Sequence, residues 1–235
     1  MDQLFDGITL LDIHKDLARN IASLIISENL FDDLSDSPKD WETAIQVELD
    51  GKPKIYNSFS PILHRPFEEA HWDNAINYPF NHWMKSRFSN GSHGVWYGAD
   101  SIKTSIYESA HHWYYGLLKD AGFDKVGMIA QRRVYLVHCD AALINLKEKT
   151  LSYPQITDPY DYKYCQDIGT RLHHEGHPGL ISCSVRNPTG ETYAIFRPQV
   201  LSSPRIFAYF SYQLLQNEIL VLDSENKEFI TIKYL

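Results

Sequence analysis

The chain is short of several things, and each shortage excludes something. Its 235 residues hold three cysteines, Cys139, Cys165 and Cys183. An odd number confined to the later half cannot form a complete disulfide framework and fits a reducing compartment. No apolar run approaches membrane-spanning length. The opening stretch MDQLFDGITLLDIHKDLARN carries acids where a secretory signal needs a basic region. The expected location is therefore the cytoplasm, with no membrane contact. Basic residues are outnumbered, 22 Lys+Arg against 30 Asp+Glu, for a formal charge of −8. There is no dense Lys/Arg block of the kind that tracks a phosphate backbone, which argues against direct nucleic-acid binding; a few local arginines still suffice for a small anion. Signature motifs are missing too: no G-x-G-x-x-G, no P-loop and no G-x-S-x-G elbow. His173, His174 and His177 cluster as HHEGH, but the H-E-x-x-H spacing is absent. Gly176 and Pro178 break the helix that would align two histidines, so no metal is assigned.

What is present is a substantial apolar fraction, 43%, enough for one core. Ile13, Leu17, Ile21 and Leu24 recur at helical spacing within residues 9–30 and predict an amphipathic helix. The segment FDDLSDSPKD (31–40) has loop composition, and Trp41–Leu49 reads as a second short helix. Residues 1–55 are thus expected to be an N-terminal helical extension and residues 56–235 the main domain. Within that domain Val95, Trp96 and Tyr97 favour a strand. A helix then starts at Asp100 or Ser101, buries Ile102, Ile106, Ala110, Trp113 and Leu117, and stops at Gly122. Strands are expected at 126–130, 133–138, 180–186, 192–197, 206–212, 219–222 and 229–234, with a long loop over 153–164 and a helix over 167–174. Strands outnumber helices, which are not regularly interposed, so the expected class is α+β: a mixed β-sheet core with flanking helices.

One stretch concentrates chemistry. From Lys85 to Trp113 the chain runs KSRFSNGSHGVWYGADSIKTSIYESAHHW, placing Arg87 before a glycine-containing turn, Tyr97 on a strand and Glu108 two turns into a helix, beside its buried stripe. Together with Arg65, Cys165-Gln166 and the segment GLISCSVR (179–186), this order resembles the RES domain, the toxin half of many bacterial toxin–antitoxin pairs, over roughly residues 60–200. Two positions depart from the family pattern: Ser86 stands where glycine is usual before the second arginine, and Pro66 follows Arg65 where some members have tyrosine, leaving Phe67 as a substitute aromatic.

The resemblance implies an ADP-ribosyltransferase-like fold and NAD as a substrate rather than a bound cofactor, in keeping with the missing dinucleotide fingerprint. It implies an NAD glycohydrolase or phosphorylase that cleaves the bond between nicotinamide and ribose. The alternatives are an ADP-ribosyltransferase acting on a protein or nucleic acid, and an inactive nucleotide-binding module. In this scheme Glu108 stabilises an oxocarbenium-like ribose. Arg65 and Arg87 clamp the pyrophosphate or ribose through paired, charge-assisted hydrogen bonds. Tyr97 stacks on nicotinamide and orients it, Ser184 holds a ribose hydroxyl or the amide, and Arg65, Tyr97 and Glu108 form the catalytic set. Taken alone each residue has an ordinary explanation: a solvated helix glutamate, surface arginines pairing with Glu68, Glu69 and Asp73, a half-buried strand tyrosine, a strand serine. The alternation of LISCSVR puts Ser184 on a strand face with Ser182 and Arg186, with Ile181, Cys183 and Val185 turned inward. A cognate antitoxin is the expected protein partner. The N-terminal extension is available for antitoxin docking, delivery or assembly into a homo-oligomer.

Overall fold

A computed structural model describes residues 2–23, 73–122 and 124–233. Its strands are β1 (Leu10–Ala22), β2 (Lys85–Ser86), β3 (Ser89–Asn90), β4 (Trp96–Ala99), β5 (Ile129–Asn145), β6 (Gly179–Cys183), β7 (Glu191–Ile195), β8 (Leu201–Leu214), β9 (Glu218–Leu222) and β10 (Glu228–Lys233). The helices are α1 (Asp2–Phe5), α2 (Tyr78–Asn81), α3 (Ile102–Trp113) and α4 (Lys163–His174). Eight strands form one mixed sheet in the order β1-β4-β7-β6-β5-β8-β9-β10, and β2 and β3 make a separate hairpin. The class is α+β, as expected.

Of the helix expected over residues 9–30, the described part, up to Ser23, is not helical. Leu10–Ala22 is a strand, paired antiparallel with β5 from Leu10 opposite Ile144 to Ala22 opposite Arg132. Pairing with β5 decides the outcome: Ile13 and Leu17, four apart, lie buried on one face of the strand, while Asp12 and His14 on the other face are exposed. The second predicted helix at 41–49 and the boundary at residue 55 lie outside the described residues, as do Arg65, Pro66 and Phe67. The separate strands expected at 126–130 and 133–138 are one 17-residue strand that runs on to Asn145.

Because β1 pairs with both β5 and β4, the strands β1, β4, β7, β6 and β5 close on themselves. Ile13, Leu17, Trp96, Tyr135, Tyr193 and Ile195 pack together in one buried cluster drawn from these strands. Closure is thinnest between β1 and β4, which meet only at Ala18 opposite Ala99. On α3 the stripe Ile106, Ala110 and Trp113 is buried as predicted, but Leu117 is exposed and Leu118 is buried instead. The helix widens into a π-helical turn at Tyr114–Lys119, and that wider turn shifts the buried position by one residue.

Candidate active site

Where β1 and β4 part beyond Ala18 and Ala99, a cleft of about 840 Å³ opens. Three of the predicted residues reach it, each from a different element. Ser101 caps α3, its hydroxyl accepting from Thr104 N–H at 3.1 Å. That cap and the buried stripe set the rotation of the helix, which leaves Glu108 half-buried on the cleft wall. Tyr97 comes from β4 and Arg87 from the β2–β3 hairpin. Three of the residues singled out in sequence therefore share one cleft, and Ser184 stands directly behind the acid.

Ser184 is placed differently from the expectation. Strand β6 ends at Cys183, and Ser184 opens the following turn, almost fully buried. Its hydroxyl accepts from Asn187 N–H at 2.9 Å and Arg186 N–H at 3.2 Å, and donates to Glu108 Oε1 at 2.6 Å. The turn thus fixes the serine and the serine fixes the carboxylate. Cys183 and Val185, expected to face inward, line the cleft instead. Val185 lies beyond the ladder, where the period of two no longer holds, whereas Cys183 is its last rung, opposite Glu191, and reaches the cleft from within the strand.

The hairpin that carries Arg87 is held from three sides. Tyr97 donates its hydroxyl to Ser86 Oγ at 2.8 Å and accepts from Phe88 N–H at 2.9 Å. Burial pushes that phenol up to about 12, so it stays protonated through the physiological range. Ser86, the departure from the family pattern, supplies a bond that glycine cannot. Gln166 on α4 donates to Ser86 O at 3.0 Å. Beside it the Cys165 thiol, raised by burial, points at Ile156 O at 3.2 Å; it is a packing group rather than a nucleophile. Arg87 itself donates to Asp158 O at 2.8 Å and lies over the Tyr162 ring, 4.3 Å from its centroid. The long loop expected at 153–164 is thus the other jaw of the cleft.

Sequence reasoning passed over Arg19 of β1 and Arg132 of β5, which also line the cleft. With Lys85, Arg87 and Lys119 they face only two acids, Glu108 and Asp120, among the lining residues. A chain of net charge −8 therefore presents a locally cationic cleft, suited to an anionic ligand. His111 and His112 follow Glu108 on α3, where sequence alone suggests solvated or gating residues rather than metal ligands. Both line the cleft, and burial holds both imidazoles below their usual value, His111 at about 4 with help from Arg186.

The hairpin is also tied to pH. His93, just after it, is fully buried with Nε2 unpaired, and its ring stacks on His173 of α4 at 4.4 Å. Burial, then His173, lowers its affinity for a proton. A histidine depressed in the folded state is protonated first in the unfolded chain, so its contribution is intact above about pH 6.5 and is lost as pH falls below that value. Thermal unfolding midpoints should be lower at pH 5 than at pH 7, and His93→Phe should reduce the difference. An unchanged pH dependence in that variant would show that His93 is not responsible. Among the described residues no helix is long and apolar enough to cross a membrane.

No curated protein matches the chain in sequence. Among solved structures, it is similar to one titled "Crystal structure of the M.tuberculosis MbcT-MbcA toxin-antitoxin complex", at 11% identity and a TM-score of 0.46, with 87% of this chain and 90% of that chain covered. The sequence profile of the RES domain matches residues 62–215. This span holds Arg87, Tyr97, Glu108, Gln166 and Ser184, and covers more than half of the chain. The protein belongs to the RES domain family.

Proposed function

We propose that this protein is a toxin-type enzyme that cleaves the nicotinamide–ribose bond of NAD. The observation that carries the reading is Glu108: a carboxylate oriented by Ser184 at 2.6 Å, in a cleft otherwise rich in guanidinium groups. Departure of neutral nicotinamide takes the bonding pair with it and leaves positive charge on the ribose, which a pre-positioned carboxylate stabilises. Water then adds at the anomeric carbon and loses a proton, giving ADP-ribose, nicotinamide and H⁺. Arg87 meets the phosphates or the ribose. The Tyr97 ring lies against the nicotinamide, while its hydroxyl keeps the hairpin in place. Arg65, outside the described residues, is assigned the second clamp on the strength of the family resemblance, which also supplies the expectation of a neutralising antitoxin.

The fate of the ADP-ribose half tests the reading. With NAD labelled in the adenylate, the purified protein should release soluble ADP-ribose, or its phosphate when inorganic phosphate is added. Label retained on protein or nucleic acid would replace this reading with macromolecular transfer. Ser184→Ala should lower kcat roughly 10-fold or more, because a hydrogen bond to a charged group contributes about 1.5–3 kcal/mol. The same change should lower stability by about 1–2 kcal/mol, since two backbone N–H groups lose their acceptor. An unchanged kcat would remove Ser184 from the positioning of Glu108.

A further inference from the structure

Two arginines in the cleft have no part in the mechanism above. Arg19 lies on β1, ahead of the residues matched to the RES domain; Arg132 lies on β5. In the register set by Ala18 and Ala99, Asn20 would face Tyr97 across the ladder, but the strands have parted. Arg19 spans the gap, donating from one terminal nitrogen to Tyr97 O at 2.8 Å, while its Nε is buried without a partner. Arg132 is held by Asn20, with Nε to Asn20 Oδ1 at 3.0 Å and one terminal nitrogen to Asn20 O at 3.2 Å. Asn20 in turn donates to the Tyr212 hydroxyl at 2.9 Å, which bonds Ser109, the neighbour of Glu108, at 2.8 Å. Both guanidinium groups are therefore held by neutral partners. Among the described residues, no carboxylate pairs with either.

Like charges kept close in a half-buried wall oppose each other. Burial, then Arg132, lowers the Arg19 pKa to about 10. A structural cross-link would work as well with a neutral donor and would avoid that repulsion. An incoming anion removes it, and a guanidinium fork matches phosphate oxygens in a paired geometry. We infer that Arg19 and Arg132 form an anion subsite, supplied partly from outside the matched RES segment, that takes the diphosphate of a nucleotide ligand. For NAD this deepens the proposed function and rests on it. The Tyr212–Ser109 bonds then connect the diphosphate end of the ligand to the helix carrying the acid.

The probe is ADP, which carries the diphosphate but lacks the bond to be cleaved. In calorimetric titration the unmodified protein should bind ADP. Arg132→Gln and Arg19→Gln should each weaken binding at least about 10-fold, with Arg132→Lys intermediate. Asp167→Ala, at an exposed position on α4 outside the cleft lining, should bind ADP as the parent does. Because either arginine variant is open to misfolding, a second measurement uses the unsubstituted protein: saturating ADP should slow phenylglyoxal modification of Arg19 and Arg132, read by peptide mass spectrometry. Failure of the parent to bind ADP, unchanged affinity in both variants, or unprotected arginines would each overturn the subsite. If ADP behaves as described but NAD is left intact, the subsite stands and the cleavage reading falls.

Discussion

Replacing Glu108 by glutamine should lower the rate of the proposed NAD cleavage about 100- to 1000-fold, the range found when one pre-organised electrostatic group is removed from an enzyme's active site. In energy that is about 3–4 kcal/mol of transition-state stabilisation. Glutamine preserves the size of the side chain and can still accept from Ser184 Oγ, which now bonds Glu108 Oε1 at 2.6 Å. The rest of α3 is anchored by Ile106, Ala110 and Trp113, so folding should be almost unaffected, with the unfolding midpoint within about 3 °C of the parent's. The loss should fall on kcat rather than KM, because the charge it neutralises develops only as nicotinamide leaves. Initial rates of nicotinamide release across NAD concentrations, paired with thermal unfolding, separate the two terms. A Glu108→Gln protein with the parent's kcat would take the acid out of the mechanism.

Gly169 gives the second large effect, through backbone contact rather than chemistry. Helix α4 passes so close to the hairpin that a Cβ on Gly169 would lie 2.0 Å from Phe88 O and 2.7 Å from Phe88 C. Backbone atoms cannot swing aside as a flexible side chain does, so Gly169→Ala must push the helix and the hairpin apart. Overpacking in a closed interior typically costs about 1–3 kcal/mol, and this contact belongs at the upper end; a loss of about 3 kcal/mol corresponds to roughly 6–12 °C in unfolding midpoint for a chain of this size. The displaced element carries Ser86, Arg87 and Phe88, which Gln166 and Tyr97 now hold in register. NAD cleavage should therefore drop about 100-fold even where the protein is folded, as expected when a binding group shifts by an ångström. Asp167→Ala, an exposed position on the same helix, should leave stability within about 0.5 kcal/mol. Equal midpoints for Gly169→Ala and the parent would mean that the helix does not touch the hairpin.

The elements around the site were legible because their signals are local. Ser101 caps and the three- and four-residue steps from Ile102 place α3 and hence Glu108, and the aromatic run around Trp96 marks β4 and hence Tyr97. The N-terminal strand was misread for a reason intrinsic to its spacing. Ile13, Leu17 and Ile21 are four apart, and four is close to one helical turn while also being two strand periods, so the same residues share a face in either conformation. Only the exposure of intervening residues separates the two, and charge alone does not report it. Arg19 and Arg132 were invisible because nothing near them in sequence is unusual; closure of β1 on β4 and β5 makes them part of the cleft. Ser184 was singled out through the family pattern, but its contact with Glu108 required knowing that β6 stops one residue earlier.

The central claim is that the scissile glycosidic carbon sits against Glu108. A crystal structure of the protein with a carbocyclic NAD analogue, which keeps the shape of the dinucleotide but resists cleavage, places that carbon directly. The account predicts contact within about 3–4 Å of the Glu108 carboxylate, the separation of a near-attack arrangement, with the nicotinamide against Tyr97 and the diphosphate toward Arg19 and Arg132. An analogue bound with its anomeric carbon on the far side of the cleft from Glu108, or bound outside the cleft altogether, would contradict it.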